Sequence, residues 1–137
     1  MKTIGLDLGN ATLGIAISDE IGFLARPVET FRFANQNFEE ALKHVKDVAL
    51  KENAKCIVLG MPKNMDGSVG EQGEISIAFA ERLKEVVSIP VVLWDERLTS
   101  KLAHNMMTQQ SLKRKKRKEA IDAMAATLIL QSYLDHR

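Results

Sequence analysis

The sequence predicts a mixed five-stranded α/β sheet with helices on both faces. Three observations carry that prediction. Three β-branched and apolar runs lie close together near the N-terminus, the pattern switches to helical spacing after residue 37, and two short apolar runs then alternate with amphipathic stretches. Lys2–Leu8 and Gly14–Ser18 read as strands separated by the turn sequence Gly9-Asn10-Ala11-Thr12, and a third strand is expected over Val28–Phe33, after Pro27. Together they form an antiparallel meander. Phe38, Ala41, Leu42, Val45, Val48 and Ala49 then fall at helical spacing, with Asn37 as N-cap and Glu40 placed for a capping box.

Cys56–Gly60 is a short continuous apolar run of the kind found in a sheet covered on both faces. Ile75, Ala78, Phe79, Leu83 and Val86 give a second helix, and Pro90–Trp94 a further buried strand. Thr99–Gln109 is a weaker helix candidate. Ile121, Met124, Ala125, Leu128 and Ile129 form the apolar stripe of a final helix over about residues 118–134. No repeat or low-complexity linker divides the 137 residues, so one domain over 1–137 is expected.

Composition excludes several classes. The single cysteine, Cys56, cannot form an internal disulfide, which fits a reducing, cytoplasmic setting. The N-terminus opens directly into a strand, so no signal peptide is expected, and the most apolar stretch, Met124–Leu130, is far too short to span a membrane. The net charge of +1 conceals a strong asymmetry. Eight of the nineteen Lys and Arg residues, and none of the eighteen acids, fall between Arg97 and Lys118. Such a basic stretch on an otherwise acidic chain favours a polyanionic partner, although a solvated charge run has the same composition.

In open α/β sheets, ligands collect beyond the carboxyl ends of the strands. Asp7 lies inside an apolar first strand, Asp95-Glu96 follows the run ending at Trp94, and Asp122 stands among small residues on the last helix. A carboxylate in a central strand is costly to bury unless its charge is compensated, and a divalent cation would compensate several at once. Phosphodiester hydrolysis uses such a cluster, with two Mg²⁺ ions roughly 4 Å apart in many enzymes. Each acid also has a plainer role open to it: Asp7 capping the Gly9-Asn10 turn, Asp95 or Glu96 pairing with Arg97, Asp122 as a solvated early-helix acid. Because strand side chains alternate, only one of Asp95 and Glu96 should share the facing of Asp7, and Glu96 is preferred for its longer reach.

The loop Gly60–Gly70 brings Lys63 and Asn64 to the same region as candidate phosphate or sugar contacts. Arg97 and the run Lys113, Arg114, Lys115, Lys116, Arg117 and Lys118 extend the candidate nucleic-acid surface. His44, His104 and His136 lack metal-ligand spacing and read as structural or solvent-facing, while Cys56, Met106, Met107 and Trp94 read as packing.

With these residues in place, the chain resembles the YqgF (RuvX) family of pre-16S rRNA nucleases, which have an RNase H-like fold. The matching segments are Gly5-Leu6-Asp7-Leu8-Gly9 with Gly14–Asp19, then Gly60–Gly67, Asp95–Ser100, and Arg117-Lys118 through Ile121-Asp122 to Gln131. The resemblance implies a Mg²⁺-dependent nuclease, with Mn²⁺ as an alternative, acting on the 5′ end of 16S rRNA precursors. Holliday-junction resolution on four-way DNA is a second implied activity. Asp7, the Asp95-Glu96 pair and Asp122 would be the catalytic acids; with Glu96 preferred over Asp95 for its reach, Asp7, Glu96 and Asp122 are the expected metal ligands. The strand Cys56–Leu59 ends in Gly60-Met61-Pro62 with no acid, unlike the junction resolvases, so the second carboxylate would come from the next strand. Nucleic acid is the expected partner, precursor rRNA before structured DNA, with no membrane and a monomer or homodimer as the assembly. Two other classes remain open: a non-catalytic RNA-binding ribosome-assembly factor, and a nucleotide-binding fragment related to sugar kinases and actin-like ATPases.

Overall fold

The computed structural model describes residues 1–99 and 114–137, with side chains for 1–99 and 123–137. Its strands are β1 (Thr3–Leu8), β2 (Thr12–Ser18), β3 (Ala25–Arg32), β4 (Cys56–Met61) and β5 (Val91–Asp95). Its helices are α1 (Phe38–Glu52), α2 (Glu71–Val86) and α3 (Arg114–Asp135), with a 3₁₀ turn over Glu96–Leu98. The sheet order is β3-β2-β1-β4-β5; β1, β2 and β3 pair antiparallel, and β4 and β5 run parallel to β1. The mixed five-stranded α/β class and the meander are therefore as expected.

Alternation along the strands sorts the side chains onto two unlike faces. Ile4, Leu6 and Leu8 of β1, Leu13, Ile15 and Ile17 of β2, and Ile57 and Leu59 of β4 form the main core with Leu42, Val45, Phe79 and Leu83 of α1 and α2. The opposite face offers Ala16, Cys56 and Val58 to Ala126, Ile129, Leu130 and Leu134 of α3. Glycine brings α3 very close there. A Cβ on Gly5 would stand 2.6 Å from the Leu130 Cβ and 3.0 Å from the Ala126 carbonyl oxygen.

Three local expectations shift. Strand β3 begins at Ala25, so Pro27 lies inside it and not before it. That is tolerated because β3 is an edge strand and the register slips by one residue between Ile15 and Ala16, opposite Pro27. Asn37 is the N-cap of α1 but makes no side-chain cap bond; its amide donates to Glu40 Oε1 at 2.8 Å, and the reciprocal capping box does not form. Helix α3 starts at Arg114, about a turn earlier than the apolar stripe indicated, because Lys and Arg are good helix formers. Thr99 follows the 3₁₀ turn in extended conformation, and the rest of the Thr99–Gln109 helix candidate lies outside the described residues. Among the described residues, no helix is long and apolar enough to cross a membrane.

Candidate active site

The parallel strands β1, β4 and β5 end together, at Leu8, Met61 and Asp95, and the candidate acids gather along that edge. Gln72, at the start of α2, donates its side-chain amide to the Leu8 carbonyl at 3.2 Å and holds the helix against the same edge. Asp7 lies on β1 opposite Gly14 of β2, on the facing of Gly5 and so on the α3 side.

Asp95 and Glu96 are neighbours in sequence with opposite fates. Asp95 closes β5 and turns into an ion-pair network: its Oδ2 accepts from Arg97 Nη2 at 2.7 Å and Nε at 3.0 Å, and its Oδ1 accepts the Arg97 backbone N–H at 2.9 Å. Lys63 Nζ stands 3.9 Å from Oδ2. Hydrogen bonding from Arg97 is the main reason that the Asp95 carboxyl lies below its ordinary pKa.

Glu96 instead turns to Asp7. Burial, the Asp7 charge and a hydrogen bond between the two carboxyl groups push the Glu96 pKa up to about 8. Strand β4 separates β1 from β5, a gap of roughly 10 Å at ordinary strand spacing. Gly60 opens that gap. A Cβ built on Gly60 would lie 2.9 Å from Glu96 Oε1 and 3.1 Å from Glu96 Cγ, so the Glu96 side chain crosses β4 over the missing methyl to reach Asp7. The same Cβ would meet Ile129 Cδ1 at 2.5 Å, so α3 approaches β4 at the same glycine.

Two like carboxyls in contact, half withdrawn from water, are stable only with a shared proton or a cation between them. A hard divalent cation fits the donor chemistry of the pair. Among the described residues, no group of three or more His, Cys, Asp or Glu is assembled for a metal. Asp122 lies on α3, and its side chain is outside the described set.

A model of the RuvX family, described as "Holliday junction resolvase", matches residues 1–136. A protein named "Putative pre-16S rRNA nuclease" from Halalkalibacterium halodurans is 45% identical over 137 residues, covering 100% of this chain and 98% of that one. The protein of the same name from Bacillus licheniformis is 47% identical over 135 residues, covering 98% of this chain and 97% of that one. This chain belongs to the RuvX family. Among solved structures, Thermus thermophilus RuvC in complex with a Holliday junction substrate superposes with a TM-score of 0.65 at 13% identity, over 99% of this chain and 96% of that one. The fowlpox virus Holliday junction resolvase gives a TM-score of 0.61 at 15% identity over the full length of both chains. At such identity the likeness establishes the fold, which is the RNase H-like one expected.

The remaining expected site residues of this RuvX chain fall into two sets. Lys63 is half-buried beside Asp95, and Arg97 lies exposed over Gly67, whose φ of +90° and missing side chain let the guanidinium approach. Asn64 is largely used inside its own loop: its backbone N–H and side-chain amide both donate to Ser68, and its carbonyl accepts from Gly67. Arg114–Lys118 form the first turns of α3, while Lys113 lies outside the described residues. Two contributors escaped sequence reasoning as site-builders: Gly5 and Gly60. A glycine inside a strand signals close approach of another backbone or side chain, and that was the available clue for both.

Proposed function

We propose that this chain is a divalent-metal-dependent nuclease whose centre is built on Asp7 and Glu96, completed by Asp122. The observation that carries the reading is the Asp7–Glu96 carboxyl contact at the carboxyl edge of the sheet. Helix periodicity supports the third ligand. Position 122 lies one turn before Ala126, on the stripe that meets Gly5, and Asp7 lies two residues beyond Gly5 in the matching direction. Mg²⁺, or Mn²⁺ in its place, would supply charge neutralisation and an activated water for phosphodiester hydrolysis.

In this reading, Asp7 and Glu96 would hold the cation through their carboxylate oxygens. Asp95 acts on Arg97 and not on the metal, keeping the guanidinium exposed at the mouth of the site where a phosphate would pass. Lys63, Asn64 and the basic run from Lys113 to Lys118 complete the surface for nucleic acid. Lys and Arg at a helix N-terminus oppose the helix dipole, so their place in the first turns of α3 serves a polyanion better than it serves the helix. The names of the 45–47% identical relatives favour pre-16S rRNA as substrate.

The family description favours a second reading, cleavage of four-way DNA junctions, which calls for two symmetric sites and hence a dimer. One assay separates the readings: cleavage of precursor 16S rRNA, unstructured RNA and a four-way DNA junction with Mg²⁺ or Mn²⁺, by wild type and Asp7→Asn. Metal-dependent cutting of the precursor, lost in Asp7→Asn, is the expected result. Equal cutting by both proteins would remove Asp7 from the centre, and cutting of the junction alone would replace the RNA substrate. Binding of RNA with no cleavage by either protein would make the chain a non-catalytic RNA-binding factor.

A further inference from the structure

We infer that Ser132 is a positioning residue for the centre, its hydroxyl clamping the turn that carries Glu96 onto helix α3; the inference rests on the metal-site reading above. Glu96 opens a three-residue 3₁₀ turn at the end of β5, which among the described residues is an edge strand paired with β4. The turn's own bonds, from Arg97 N–H to Asp95 Oδ1 at 2.9 Å and from Thr99 N–H to the Glu96 carbonyl at 3.0 Å, shape it locally. They tie it to nothing else. A ligand carboxylate needs placement to within about 0.5 Å, which an edge turn does not provide unaided.

Ser132 provides the tie. Its buried Oγ accepts the Trp94 indole N–H at 3.0 Å and donates to the Leu98 carbonyl at 3.2 Å. Trp94 lies two residues before Glu96 and Leu98 two residues after, so one hydroxyl brackets the ligand on both sides. The Trp94 ring is in turn held by Tyr133, edge-on with centroids 5.5 Å apart, and by His136 at 5.6 Å. One turn earlier on α3, Ile129 packs where the Glu96 stem crosses Gly60. Helix α3 thus holds the residues on either side of Glu96, and the same helix carries Asp122.

The bond pattern is not what a buried helical hydroxyl does by default. Ser76 bonds back to the Gln72 carbonyl at 3.1 Å and Thr127 to the Ala123 carbonyl at 2.8 Å, each within its own helix. Ser132 reaches across to another element instead. Its contact with Leu98 links segments 34 residues apart, and its contact with Trp94 links segments 38 apart.

The test compares wild type, Ser132→Ala and Ser132→Thr, the last of which keeps the hydroxyl. In metal-free protein, amide hydrogen exchange at Arg97 and Thr99 should quicken about tenfold in Ser132→Ala, with Ile57 and Leu59 unchanged, and return to wild type in Ser132→Thr. Mn²⁺ affinity measured by calorimetry should fall about tenfold in Ser132→Ala, with kcat reduced and KM for RNA unchanged. Unchanged exchange in Ser132→Ala, unchanged Mn²⁺ affinity, or a Ser132→Thr protein that behaves like Ser132→Ala would each overturn the clamp. Wild type that binds no Mn²⁺ at all would instead overturn the metal-site reading, leaving the exchange data to decide whether Ser132 holds the turn.

Discussion

The two faces of the sheet are made from the same strands and do different work. Towards α1 and α2, β1 presents Ile4, Leu6 and Leu8, whose bulk fills a continuous apolar core. Towards α3, the intervening residues are Thr3, Gly5 and Asp7, and β4 adds Gly60 between β1 and β5. Large side chains hold helices at ordinary packing distance. Small ones let α3 descend onto the sheet and leave room at its carboxyl edge for two carboxyl groups to meet. On the proposed reading, stability is concentrated on one face and chemistry on the other, and substitutions should separate them.

The largest contrast is expected between Leu6→Ala and Gly60→Ala. Truncating fully buried Leu6 should cost about 2–5 kcal/mol in chemical denaturation while the folded fraction keeps its specific activity. Gly60→Ala places a methyl into the path of Glu96 and against Ile129, and misplacing a reacting group by about 1 Å costs roughly 10²-fold in rate. Its activity loss should therefore far exceed any stability loss. If Leu6→Ala impaired the folded enzyme as much as Gly60→Ala, the division of labour would fail.

A smaller effect separates the faces by pH. The Glu96 pKa is raised in the folded chain, so between the ordinary 4.5 and about 8 the native state holds a proton that the unfolded state has released. The Glu96 contribution is thus fully present below pH 4.5 and is lost as pH rises through about 8. Metal-free protein should lose stability on melting across that interval, and Glu96→Gln should remove this part of the slope. A Glu96→Gln melt with the wild-type slope would place the titrating group elsewhere.

The smallest effect concerns the rim. Arg97→Gln should weaken nucleic-acid binding modestly and reduce the slope of log affinity against log salt by about 1, since one phosphate contact is lost. An unchanged slope would leave Arg97 as a partner of Asp95 alone.

The legible and illegible parts divide along the same physical line. Strands β1, β2, β4 and β5 were readable because buried strands are continuous apolar runs; alternation said that only one of Asp95 and Glu96 shares the facing of Asp7, and the longer reach of Glu96 made the choice. Strand β3 was misplaced at its start because Pro27 signals a boundary in any sequence, and only the sheet order shows that it sits on an edge. The onset of α3 was missed because its first turns carry charge and no apolar stripe. The carboxylates announced themselves by standing in apolar surroundings. Gly60 and Ser132 did not, because each acts through partners more than thirty residues away in the chain.

The central claim, that Asp7 and Glu96 share a cation, is tested most directly by calorimetric titration of Mn²⁺ into wild type and Glu96→Gln near neutral pH, in buffers of different ionisation enthalpy. Wild type should bind with release of a proton, because the cation displaces the one that Glu96 holds, and Glu96→Gln should bind more weakly with no release. Equal affinity and equal proton release in the two proteins would contradict the account.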